Sequence, residues 1–218
     1  MTSPPKAPQA LIFDMDGVLV DSEPLHKRAK QMAFQEAGIH FPEQTYDSYK
    51  GRPDTTMFHE VLAGRSVDDI AELLHRKHQH FEKIEHELQP IPGAVEFVKW
   101  AATRYRLALA TSATPRNRAA ALQILGVADR FESLVDTARF ARPKPDPEIF
   151  HVALRDLKLN SADCWIIEDS LAGVRAGKTA GCITVGITTT FDSASLSAAG
   201  ADLIVKSFRE LRSVLENL

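Results

Sequence analysis

Thiols are scarce in this chain of 218 residues: Cys164 and Cys182 are the only cysteines. No Cys-x-x-Cys pair exists, which excludes a thiolate zinc site and fits a reducing, cytoplasmic setting. Long apolar runs are missing too. Stretches such as Ala10-Leu11-Ile12-Phe13 are far too short to cross a bilayer. Residues 1–9 are polar and proline-rich, so no signal-peptide-length apolar segment precedes Asp14. Basic residues are not in excess. Lys and Arg number 26 against 29 Asp and Glu, a net charge of −3 with pI about 6.2, and this leaves no electrostatic footprint for nucleic acid. Internal repeats and low-complexity tracts are absent. What remains is ordinary globular composition, 44% hydrophobic and 25% charged. The length fits one large or two small domains and can bury a sizeable core.

Short apolar runs recur and end in polar groups. Ala10–Phe13 ends at Asp14, and Arg106–Ala110 ends at Thr111-Ser112. Ser133–Val135 ends at Asp136, Cys164–Ile167 at Glu168-Asp169, and Cys182–Ile187 in threonines; Asp202–Val205 comes last. Continuous apolar runs of this length read as strands buried on both faces. Helical patterns lie between them. One spans Gly93–Thr103, with apolar Ala94, Phe97, Val98 and Ala101. Another follows Asp146-Pro147-Glu148, an N-cap with proline at the first helical position. The alternation predicts an α/β fold, a parallel sheet covered by helices on both faces.

One segment breaks the alternation. From Pro24 to about Leu88 the pattern is helical throughout. Leu25, Ala29, Met32, Ala33 and Ala37 form one stripe, closed by Gly38. Ser66 reads as the N-cap of a longer helix. That helix gathers Ile70, Leu73, Leu74, Phe81, Ile84 and Leu88 within roughly 80° of arc. Gln89–Gly93, with two prolines, reads as a stiff re-entry linker. The expected division is a sheet domain of residues 1–23 and 92–218 with an inserted all-helical domain of residues 24–91.

Ligands of open parallel sheets bind outside the C-terminal strand ends. The groups there are Asp14, Asp16, Thr111, Ser112, Glu168 and Asp169. Lys144 joins them from Arg142-Pro143-Lys144-Pro145-Asp146-Pro147, where three prolines restrict the backbone. One aspartate ending one strand is commonly a cap or loop residue. Paired acids at two strand ends repel unless a cation sits between them, and oxygen ligands point to Mg²⁺. A cation, an ammonium and small hydroxyls together match the needs of a phosphoryl group.

Asp14-Met15-Asp16-Gly17-Val18-Leu19-Val20-Asp21-Ser22-Glu23 resembles the haloacid dehalogenase-like phosphohydrolase superfamily, and Thr111, Lys144 and Glu168-Asp169 follow in its motif order. The likeness is closest to the branch of β-phosphoglucomutases and small sugar-phosphate phosphatases, with a helical cap inserted after the first strand. It implies a Rossmann-like core, an aspartyl-phosphate on Asp14, and Asp16 as general acid and base. It also implies Mg²⁺ held by Asp14, the Asp16 carbonyl and Asp169, with Glu168 direct or through water, and Thr111, Ser112 and Lys144 on the phosphoryl oxygens. Gly17 would supply a sharp turn. Asp16 disfavours the dehalogenases and the phosphonatases, and the chain is far smaller than the phosphoryl-transfer pumps.

The insert supplies the expected substrate residues, His26, Lys50 and Arg52. Mutases of the branch carry an Arg four residues after the matching Lys, a place that is Asp54 here, and this favours phosphatase over mutase. His75, His78, His80 and His86 scatter around their helix and read as a solvated face. Trp100 and Trp165 read as core. The expected activity is Mg²⁺-dependent hydrolysis of a small phosphomonoester by a monomer with no nucleic-acid or membrane partner. A β-phosphoglucomutase-type isomerase is the alternative, and a non-catalytic regulatory protein on the same scaffold is disfavoured because every chemical group is present.

Overall fold

The computed structural model describes residues 6–41, 43–49 and 54–218. The strands are β1 (Ala10–Phe13), β2 (Val20–Asp21), β3 (Gln89–Pro90), β4 (Arg106–Ala110), β5 (Ser133–Val135), β6 (Cys164–Glu168), β7 (Ile183–Ile187) and β8 (Leu203–Val205). The helices are α1 (Glu23–Glu36), α2 (Glu43–Ser48), α3 (Asp54–Val61), α4 (Val67–Ile84), α5 (Ala94–Ala101), α6 (Pro115–Leu125), α7 (Glu148–Leu157), α8 (Leu171–Thr179), α9 (Ser193–Ala199) and α10 (Phe208–Glu216). Two compact units result: residues 1–21 with 89–218, and Ser22–Leu88.

The first unit holds a six-stranded sheet of order β5-β4-β1-β6-β7-β8, with every pair parallel. The chain runs outward from β1 through β4 to β5, then returns to β6 on the other side of β1. The strand order therefore reverses at β1, the position where such sheets bind ligands. Side chains alternate between the two faces. Ala10 and Ile12 pack with Ile149, Phe150 and Ala153 of α7 and with Ala176 of α8. On the opposite face Phe13 meets Phe97 of α5 edge-on, with centroids 6.1 Å apart, and Phe97 meets Phe208 of α10 at 5.0 Å. This is the Rossmann-like core that the apolar runs anticipate.

Three local features depart from expectation. The Gln89–Gly93 linker is not wholly irregular: Gln89 and Pro90 pair antiparallel with Asp21 and Val20. Helix α7 begins at Glu148, after Pro147, and the Asp146 carboxylate still caps it by accepting the Glu148 N–H at 2.9 Å. Trp165 is fully buried, whereas Trp100 is half-buried, with the guanidiniums of Arg104 and Arg212 each 4.9 Å from its ring.

The second unit is all helical among its described residues. Ala33 and Phe34 of α1, Met57 and Phe58 of α3, and Ile70 and Leu73 of α4 form its core. Ser66 caps α4 by accepting the Asp69 N–H, as its sequence position implies. The buried face of α4 is less apolar than its pattern. Lys77 and His80 lie inside it, so the solvated-face reading fails for His80, whose Nε2 meets Glu36 at 3.0 Å. His75, His78 and His86 are exposed, and no histidine enters a metal-ligand cluster among the described residues.

Lys77 is held by an ion cluster. Its Nζ and that of Lys30 each lie 2.7 Å from one oxygen of Asp54. Burial alone would raise the Asp54 carboxyl; the two ammoniums outweigh it and hold it well below the usual carboxylate range. Lys77 also donates to His26 Nδ1 at 2.9 Å. An ammonium can only donate, so Nδ1 is unprotonated. Burial and the Lys77 charge hold the imidazole well below its ordinary value, and the ring stacks on Phe81 at 4.2 Å.

Candidate active site

Parallel register sets the site. Phe13 lies beside Leu109 of β4 and Ile167 of β6, so the next residues along, Asp14, Ala110 and Glu168, emerge together at one sheet end. Asp14 continues the ladder by donating its N–H to the Ile167 carbonyl at 3.0 Å. The chain then coils back tightly: Leu19 N–H reaches the Met15 carbonyl at 2.7 Å, and Gly17 N–H reaches that of Val20 at 2.8 Å. Gly17 takes φ +74°, in the left-handed region. A Cβ there would also fall 1.9 Å from Asp169 Oδ2. Glycine is needed both for the turn and for the close approach of a carboxylate. Asp16, within this turn, is half-buried.

Lys144 lies at the centre of the cluster. Its side chain is 8% exposed, so the solvated lysine that its sequence type would favour is not found. Nζ donates to Asp14 Oδ1 at 2.7 Å, to Glu168 Oε1 at 2.6 Å and to the Ala110 carbonyl at 3.2 Å. Burial would lower this ammonium's pKa, but Asp14 and Glu168 outweigh it and raise the pKa. The second oxygen of Glu168 is also engaged, accepting from the Ser170 hydroxyl at 3.0 Å. Glu168 thus bridges Lys144 to the first turn of α8.

Asp14, Glu168 and Asp169 are buried and offer ligand oxygens that all lie within 4.8 Å of one another. Burial pushes the Asp14 carboxyl up to about 7, with Glu168 and Asp16 adding to the rise and Lys144 opposing it. Asp169 is raised well above the carboxylate range by burial, Glu168 and Asp14, and a hydrogen bond with Thr190 offsets part of this. Three carboxylates face one ammonium. A hard divalent cation with oxygen ligands fits this donor set and would restore ionisation.

Thr111 is fully buried at the end of β4, and its Oγ1 accepts the Ala113 N–H at 3.0 Å. Ser112 beside it is exposed. The strand-end groups therefore gather in one unit. His26 belongs to the helical unit, bound to Lys77, and Lys50 and Arg52 lie outside the described residues. Sequence reading missed Ser170 and Thr190. The threonines ending the Cys182–Ile187 run were visible, but nothing local marks their carboxylate partner.

A model of the haloacid dehalogenase-like hydrolases matches residues 8–181. The chain belongs to this family. It is 30% identical over 213 residues to a Bacillus subtilis protein named β-phosphoglucomutase, covering 93% of this chain and 91% of that one. It is 32% identical over 217 residues to a phosphorylated carbohydrates phosphatase of Thermotoga maritima, covering 96% and 99%. Among solved structures, CbbY from Rhodobacter sphaeroides in complex with phosphate superposes with a TM-score of 0.80 at 27% identity, covering 95% and 99%. The β-phosphoglucomutase-like branch inferred from the motifs is the one these relatives represent. As a family hydrolase the chain is an enzyme, and no described helix is long and apolar enough to cross a membrane.

Proposed function

We propose that this hydrolase is a Mg²⁺-dependent phosphatase of small phosphorylated carbohydrates and works through an aspartyl-phosphate on Asp14. The observation that carries the reading is the buried cluster of Asp14, Glu168 and Asp169, in which the Lys144 ammonium pairs with the first two. Asp14, Asp169 and the Asp16 carbonyl would hold the ion. Glu168, with each oxygen already hydrogen-bonded, is better suited to orienting Lys144 than to direct ligation. Bound there, the ion would neutralise negative charge on the phosphoryl oxygens.

The chain's own groups do the rest. The Asp14 carboxylate attacks phosphorus, forming an oxygen–phosphorus bond as the bond to the sugar oxygen breaks. Asp16 gives that oxygen its proton, then takes one from the water that attacks the phosphoenzyme. Lys144, Thr111 and Ser112 stabilise the equatorial oxygens. The phosphatase relatives support the carbohydrate class. Asp54 favours water over a second sugar as acceptor: where mutases of the branch place a phosphate-gripping Arg, this chain has a carboxylate clasped by Lys30 and Lys77. Lys50 and Arg52 are proposed to meet the sugar portion, and the enzyme to act as a cytoplasmic monomer.

The test is a panel of sugar phosphates incubated with purified protein and Mg²⁺, scored for free phosphate and for isomer. Phosphate release in excess of isomer is expected. Conversion of β-glucose 1-phosphate to glucose 6-phosphate faster than phosphate release would establish the mutase instead.

A further inference from the structure

The loop after β7 carries three threonines in succession, Thr188, Thr189 and Thr190, none with a role in the mechanism above. Thr188 N–H donates to the Val205 carbonyl at 3.0 Å, which ties the loop to β8. Thr189 Oγ1 donates to the Gly17 carbonyl at 2.5 Å, which ties it to the turn that follows Asp14. The Thr190 hydroxyl lies beside the Asp169 carboxylate, both crowding the same point at Gly17, and it favours the ionised form of that carboxylate. The three strand-end loops converge on one point: a Cβ built on Gly17 would fall 1.9 Å from Asp169 Oδ2 and 2.8 Å from Thr190 Oγ1.

Asp169 needs such a tether. Its neighbours Asp14 and Glu168 repel it, and Lys144 is hydrogen-bonded to those two acids. These two charges oppose ionisation of Asp169 more than Lys144 favours it. A hydroxyl fixed from outside the cluster selects one rotamer and spends one lone pair, leaving the rest for a cation.

We propose that Thr190, on a loop that Thr189 anchors to Gly17, is a positioning residue that holds Asp169 in place for divalent-cation binding. The inference rests on the proposed reading of Asp14 and Asp169 as cation ligands. Groups that orient metal ligands typically change affinity by about 10–100-fold when removed.

The experiment measures Mg²⁺ affinity of the full chain by calorimetry, with the Mg²⁺-dependent rise in Tm as a second readout. Thr190→Val keeps shape and loses the hydroxyl, and Mg²⁺ should bind about tenfold more weakly. Thr190→Ser should bind nearly as the parent does. Should Thr190→Val not fold, Thr190→Ala provides the same deletion without the branched methyl. Unchanged affinity in the Val or Ala variant, whatever its Tm, would show that Thr190 only closes the loop and would overturn the proposal. A Ser variant as weak as Val would overturn the role of the hydroxyl. Absence of Mg²⁺ binding by the parent would overturn the cation site itself, a separate failure visible before any variant is made.

Discussion

Gly173 tests how tightly Glu168 is held. In most helices Gly→Ala stabilises by about 0.5–1 kcal/mol, because alanine loses less backbone entropy on folding. Here the added Cβ would lie 1.9 Å from Glu168 Oε1 and 2.0 Å from its Cδ. That carboxylate cannot step aside without breaking its bonds to Lys144 and Ser170. Gly173→Ala is therefore expected to leave Tm no higher than the parent and to lower kcat by about tenfold or more, as displaced orienting groups do. Thermal unfolding and steady-state kinetics on one preparation check both halves. Lys144 shows what a sequence conceals at this scale. Its proline frame is legible, but its burial depends on Asp14 and Glu168, which lie 130 and 24 residues away along the chain.

The six parallel strands were legible as elements because strands buried on both faces must be continuously apolar, and the polar residue that ends each run marks where the sheet stops. The β2–β3 pair was not. Two residues per strand, one of them proline, carry no periodicity. Inside the helical unit, Lys30, Lys77 and His80 occupy buried positions that a hydrophobic pattern assigns to solvent, and only their tertiary partners explain them. Asp54→Asn would leave two buried ammoniums without their shared carboxylate and should destabilise this unit by about 3 kcal/mol. Hydrogen exchange of α1 and α4 amides would read the loss. Because folding lowers the Asp54 pKa, its contribution is full above the unfolded value near 3.8 and is lost as pH falls through the folded value. The gap between parent and Asp54→Asn should thus persist at neutral pH and narrow below about pH 4. A gap unchanged down to pH 2 would contradict the charge-pair origin.

Across the whole molecule, the proposed mechanism requires the strand-end acids to couple metal, proton and turnover. Chelation by EDTA should abolish phosphatase activity and Mg²⁺ should restore it, with Ca²⁺ a poor substitute because it prefers more ligands and looser geometry. Since Asp14 must be ionised to bind a cation and its carboxyl is raised to about 7 in the metal-free chain, Mg²⁺ affinity should fall as pH drops below that value. Calorimetric titration at several pH values would detect it, and a pH-independent affinity would contradict a role for Asp14 as ligand. The covalent step is tested most directly by rapid acid quenching of turnover with a sugar phosphate carrying radiolabelled phosphate. The expected result is label bound to the protein, discharged by hydroxylamine as an acyl phosphate, mapped to the peptide containing Asp14, and missing from a folded, inactive Asp14→Asn variant. Label on another residue, or an Asp14→Asn variant that keeps more than about a tenth of parental turnover, would contradict Asp14 as the nucleophile.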